Sequence, residues 1–75
     1  MAEKQFEEVR TMKLRRPFVP FRIVTTGGDK YLVEDRFQFA IGQTRLMYVF
    51  PGSDRFVELT ADKIAGVESV QQPAA

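Results

Sequence analysis

The chain has no cysteine, no histidine and no tryptophan among its 75 residues. Without cysteine there is neither a disulfide nor a thiolate zinc site, and without histidine carboxylates alone would have to hold any transition metal. General acid–base and nucleophilic catalysis usually recruit one of those two residue types. The expectation is therefore a protein with no catalytic residue, no metal and no cofactor. No apolar run approaches the roughly 20 residues that a membrane helix needs. Met1 to Leu14 is charged throughout, with no hydrophobic stretch of a signal peptide. A cytoplasmic location and no membrane partner are expected, and a reducing compartment suits the missing cysteines.

What remains is a short chain, read as a single domain over residues 1–75. A chain of this length buries only roughly 60–65% of its unfolded surface, so its margin of stability is thin. Small scaffolds usually need a staple, and with disulfides and thiolate metal sites excluded the one left is homo-oligomerisation. Seven phenylalanines and two tyrosines supply either a dense core or a partly exposed contact face.

Charge is balanced overall, with eleven basic and ten acidic side chains, but it is unevenly placed. Residues 10–22 carry Arg10, Lys13, Arg15, Arg16 and Arg22 and no acid, whereas residues 23–75 carry five basic and seven acidic groups. Such a collar reads as a phosphate-facing patch. It also reads as a solvated helix end, since cations in a last turn complement the helix dipole.

Residues 3–14 are the one helix expected. Phe6, Val9 and Met12 (or Lys13) recur at helical spacing, glutamates load the first half, and Glu7 to Arg10 is a favourable i,i+3 pair. The stripe is about one residue per turn wide, so this helix must dock on something. At Arg15-Arg16-Pro17-Phe18-Val19-Pro20-Phe21-Arg22-Ile23 the two prolines end the helix and favour extended backbone at Arg16 and Val19. From there the period changes to 2. Phe21, Ile23 and Thr25 face one way, Thr26-Gly27-Gly28-Asp29 makes a hairpin turn, and Tyr31 and Val33 return. Phe37, Phe39 and Ile41 alternate as a third strand. Leu46 to Phe50 is an unbroken apolar run, which suggests a strand buried on both faces or covered by an oligomer contact. Phe56 to Leu59 forms a fifth strand, with Val57 and Leu59 opposite Phe56 and Glu58. Thr60-Ala61-Asp62-Lys63 is a capped turn before a short sixth strand over 64–70, and residues 71–75 should fray. The fold class expected is mainly β: a short N-terminal helix, then a small antiparallel barrel of five to six strands over about 18–70, because closure hides strand edges.

In layout, the helix, the glycine turn at Gly27-Gly28-Asp29 and the one-turn break before the last strand resemble an SH3-like barrel of the Sm-like type. Asp35-Arg36-Phe37-Gln38 stands where that family has an acidic residue followed by an apolar residue and asparagine, and the asparagine is absent. Ile64-Ala65-Gly66 resembles the family's second motif, with Ala65 in place of its basic residue. The resemblance implies the barrel fold, while the residues that would pinch an RNA base are missing. The first half of the chain, with Arg16-Pro17-Phe18-Val19-Pro20-Phe21-Arg22-Ile23, Gly28 and Tyr31, is also similar to small uncharacterised bacterial proteins that share an Arg-Pro-Phe-x-Pro-Phe-Arg-Ile pattern and end on Ile-x-x-Val/Ile-Glu, here Ile64 to Glu68. That resemblance implies a fold grouping and no activity.

Few constellations could carry chemistry. Asp29, Glu34 and Asp35 flank one hairpin but lack the spacing of a calcium loop. Glu58 beside Phe56 is the only candidate for a general acid, and Ser53 and Ser69 have no evident base. Gly27-Gly28 lacks the Gly-Lys-Ser/Thr ending of a phosphate loop. Phe37, Phe39, Tyr48 and Phe50, with Arg36 and Arg45 nearby, form either a base-stacking platform or the barrel core. Two functions remain. One is a non-enzymatic, self-associating module that meets a protein partner. The other is a nucleic-acid binder whose contacts would be Arg10, Lys13, Arg15, Arg16, Arg22, Arg36 and Arg45. Clustered arginines favour the second, and arginines paired with Glu7, Glu8 and Glu58 favour the first.

Overall fold

The structure is a computed structural model that describes residues 2–70; the tail at 71–75, expected to fray, lies outside them. Helix α1 runs over Ala2–Leu14. Its narrow apolar stripe docks as its width demands: Phe6 and Val9 are fully buried and Met12 is packed against the core. Between Leu14 and Phe21 the chain forms neither helix nor strand, with a cis peptide bond at Arg16-Pro17.

Six strands follow: β1 Phe21–Thr25, β2 Lys30–Val33, β3 Phe39–Ile41, β4 Arg45–Val49, β5 Phe56–Thr60 and β6 Ile64–Ser69. They form two antiparallel three-stranded sheets, in the orders β2-β1-β6 and β3-β4-β5. The period-2 alternation holds in β1, where Phe21, Ile23 and Thr25 are buried and Arg22 and Val24 are not. Thr25 ends the strand as a satisfied buried polar group: its Oγ1 accepts from the Asp29 N–H at 3.0 Å. The hairpin then closes on Gly28, whose φ of +93° suits glycine. Across β1 and β6, Val24 faces Gly66 and Thr25 faces Ile64. Ala65 is thus the extra residue of a β-bulge.

The third strand begins two residues later than the alternation from Phe37 suggests. Arg36–Gln38 is a 3-10 turn closed by a capping box. The Asp35 carboxylate accepts from the Phe37 N–H, and the Gln38 side-chain oxygen accepts from the Asp35 N–H. These bonds satisfy orphan donors that an extended chain would leave to water. Phe37 is consequently 84% exposed. The run in β4 is buried on one face only: Leu46 and Tyr48 point inward, while Met47 and Val49 stay exposed. A second 3-10 turn, Ala61–Lys63, leads into β6 where the sequence predicts a capped turn, but the Thr60 side chain does not cap it and its hydroxyl donates to Asp62 instead.

The sheets meet through aromatic side chains. Phe21 meets Phe39 edge-on at 6.0 Å between ring centres, and Tyr31 lies 5.2 Å from Tyr48. The Tyr48 hydroxyl donates to the Leu32 carbonyl at 2.6 Å. Helix α1 packs against β6 and the second 3-10 turn, closing one end of this core. Hydrogen bonding draws two separate sheets rather than one closed sheet. The capping-box turn interrupts the chain between β2 and β3, and a cleft of about 450 Å³ lies between the Thr25–Asp29 turn and the Val57–Thr60 side of β5. No helix among the described residues is long and apolar enough to cross a membrane.

Candidate interaction surface

Most of the cations singled out in the sequence are engaged by the fold itself. Arg10 lies 3.1 Å from Glu7 and donates to the Gly42 carbonyl at 2.8 Å. Lys13 donates to the carbonyls of Arg36 and Phe39, the latter at 2.7 Å, and its ammonium sits 4.7 Å from the centre of the Phe39 ring. Burial pushes the Lys13 pKa down, the neighbouring Arg36 charge adds to that, and Asp35 partly opposes it. Arg22 joins Glu68 across β1 and β6 at 3.1 Å, and Lys30 reaches the same carboxylate at 3.1 Å. The Lys30 hydrogen bond, followed by those charges, holds the Glu68 carboxyl below the usual carboxylate range.

Arg36 donates to the Arg15 carbonyl at 3.0 Å and lies over the Phe18 ring. Arg45, at the start of β4, pairs with Glu58 at 3.2 Å. Arg15 and Arg16 are exposed, and no side-chain hydrogen bond or ion pair engages their guanidinium groups among the described residues. The collar is thus split between the α1–β3 seam and the outer face of the first sheet, and Arg45 lies apart on the outer face of the second. Lys13 and Arg36 come together at the end of α1, where Arg36 is tied to the backbone of Arg15.

The candidate catalytic and metal groups are not assembled. Glu58 is held by Arg45 on an exposed face, and the Ser53 hydroxyl accepts from the Arg55 N–H. No group of three or more acidic side chains among the described residues could hold a metal ion, Asp29, Glu34 and Asp35 included. The aromatic set divides as well: Phe39 and Tyr48 belong to the core and Phe50 packs against it, whereas Phe37 does not. Burial also pushes the Tyr48 phenol pKa up.

The surface that stands out is the outer face of β3-β4-β5. Antiparallel register sets Ala40 beside Met47 and Val49 beside Phe56. Phe56 is 60% exposed and Met47 and Val49 each 39%, and Phe37 stands next to them. Phe37, Ala40, Met47 and Val49 line a shallow depression of about 440 Å³ with Lys13 at its rim. Arg45 and Glu58 bound the opposite side. A contiguous apolar patch rimmed by polar groups marks an interaction site more often than an ordinary monomer surface. Alternation in the sequence already places Phe56 with Glu58 on an outward face. The exposure of Phe37 was legible only through the capping box Asp35-x-x-Gln38. No protein-family model, curated protein or solved structure matches this chain.

Proposed function

We propose that this chain is a non-enzymatic β module that self-associates and acts in protein interaction or assembly. The observation that carries this reading is the outer face of the second sheet, where Phe37, Met47, Val49 and Phe56, four of the six exposed large apolar side chains among the described residues, stay in water. The pairing of Arg10 with Glu7 and Arg45 with Glu58 supports it, because those cations are engaged within the chain. The two sheets, the turn before the last strand and the N-terminal helix fit an SH3-like, Sm-like barrel left open along one side. Light scattering across a concentration series tests the function. The wild type should exceed the mass of one chain, and Met47→Ser/Phe56→Ser should shift it toward that mass while leaving the circular dichroism spectrum intact. A wild type that stays monomeric at the highest concentration removes this function.

A second reading, nucleic-acid binding, rests on Lys13 and Arg36 near the exposed ring of Phe37, with Arg15 exposed where Arg36 meets its backbone. Stacking on one aromatic is worth roughly 1–3 kcal/mol per base, and each neutralised phosphate steepens the fall of affinity with salt. Binding of a single-stranded oligonucleotide that weakens with salt and is lost in Arg15→Ala/Arg36→Ala would favour it.

A further inference from the structure

Each sheet has two edge strands, and among the described residues three of the four meet another part of the chain. Along β3, Lys13 takes the Phe39 carbonyl. Along β2, the Tyr48 hydroxyl takes the Leu32 carbonyl, and the Glu34 N–H just past the strand donates to the Gln38 side chain. Strand β6 lies against α1. Unpaired edges are templates for association, and proteins usually blunt them in these ways.

Strand β5 is different. The Arg55 carbonyl accepts from the Phe50 N–H at 2.9 Å, and the Ala61 N–H donates to the Thr44 carbonyl at 2.8 Å. Residues 55 and 61 therefore bond toward the β4 side. Alternation along an antiparallel ladder then sends the N–H and C=O groups of Phe56 and Glu58 away from β4. No hydrogen bond among the described residues uses them. The strand carries neither proline nor lysine to discourage pairing.

We propose that β5 is an interface between two copies of this chain, paired antiparallel about a two-fold axis in a register centred on Val57. This proposal rests on the self-association reading above. The free groups lie symmetrically about Val57, so this register lets each Phe56 exchange both backbone bonds with Glu58 of the other copy, and the reverse. A shift of two residues one way sets Glu58 opposite Glu58, and the other way sets Asp54 opposite Glu58. Like charges directly opposed are destabilising. A shift of one turns inward-facing side chains outward. The Val57 register avoids both faults, brings the two Phe56 rings within diagonal reach on one face, and makes the apolar outer faces of both copies continuous.

Two variants test the pairing. Glu58→Pro removes an N–H that points away from β4 and spares the β4 ladder, and edge strands tolerate proline there. Glu58→Ala is the control for the lost Arg45 partner. By light scattering the wild type and Glu58→Ala should have twice the mass of one chain and Glu58→Pro the mass of one, with circular dichroism unchanged. The second variant, Val57→Cys, introduces the only thiol in the chain. In this register the two substituted positions form a non-hydrogen-bonded pair with Cα atoms about 4.5 Å apart, within the span of a disulfide. Mild oxidation should give a disulfide-linked dimer. A folded Glu58→Pro that stays dimeric, or a Val57→Cys that does not cross-link while dimeric, overturns the β5 pairing and leaves self-association standing. A wild type larger than two chains also overturns the two-fold pairing. A monomeric wild type overturns both. Should Glu58→Pro fail to fold, the cross-link decides.

Discussion

Replacing Phe21 by alanine removes the side chain on which both sheets converge. Phe21 is fully buried, sits in the central strand of the first sheet opposite Val33 on one side and Ser69 on the other, and lies 6.0 Å from both Phe18 and Phe39. A buried Phe→Ala costs about 3–5 kcal/mol, from lost transfer energy and the cavity left behind. Aromatic pairs contribute roughly 0.5–1.5 kcal/mol beyond buried area, so the two ring contacts place Phe21→Ala in the upper half of that range. At about 0.05–0.15 kcal/mol per residue, the whole chain is worth roughly 4–11 kcal/mol. The variant should therefore lose much of its stability and lie close to its unfolding midpoint in water at the low end. Urea titration followed by circular dichroism and tyrosine fluorescence measures this, provided the slope with denaturant matches the wild type. The control is Phe37→Ala, expected to change stability by no more than about 0.5 kcal/mol because its ring is already in water. A loss below about 1 kcal/mol at Phe21, or equal losses at the two positions, would refute the assignment of the corner as the anchor of the core.

Tyr48→Phe deletes the hydroxyl that ties the second sheet to the Leu32 carbonyl and should cost about 0.5–1.5 kcal/mol by urea titration; no loss would mean that water replaces the bond freely. Glu68 gives a pH signature. Its folded pKa lies below its unfolded one, so its stabilisation is complete above the unfolded value and is lost as pH falls through the folded value. The difference in Tm between wild type and Glu68→Gln should therefore be present at neutral pH and close in acid; a constant gap would exclude the carboxylate charge as its source.

Local rules written into single segments were legible in the chain. The stripe Phe6-Val9-Met12, the Gly28 hairpin and the alternation in β1, β2 and β5 follow from side-chain period and turn chemistry. The third strand starts later than its alternation predicts because two local rules compete at Phe37. Alternation with Phe39 argues for a strand, and the capping box from Asp35 to Gln38 argues for a turn, which satisfies backbone donors and wins. The run Leu46 to Phe50 shows the converse: an unbroken apolar string does not say which side has a partner, and here only one side does.

The candidate site was least visible because its meaning depends on distant segments. The sequence by itself determined what this protein lacks, namely histidine, cysteine and any cluster of their chemistry, together with a mainly β chain behind one helix. Tertiary structure alone decided the fate of the cations: Lys13 and Arg10 meet carbonyls 26 and 32 residues away, and Arg45 meets a glutamate on the neighbouring strand. It alone decided which edge has no partner and which apolar face has no cover among the described residues. Both are properties of what the rest of the chain fails to reach, and a hydrogen-bonding group is free only after every other segment has taken its place.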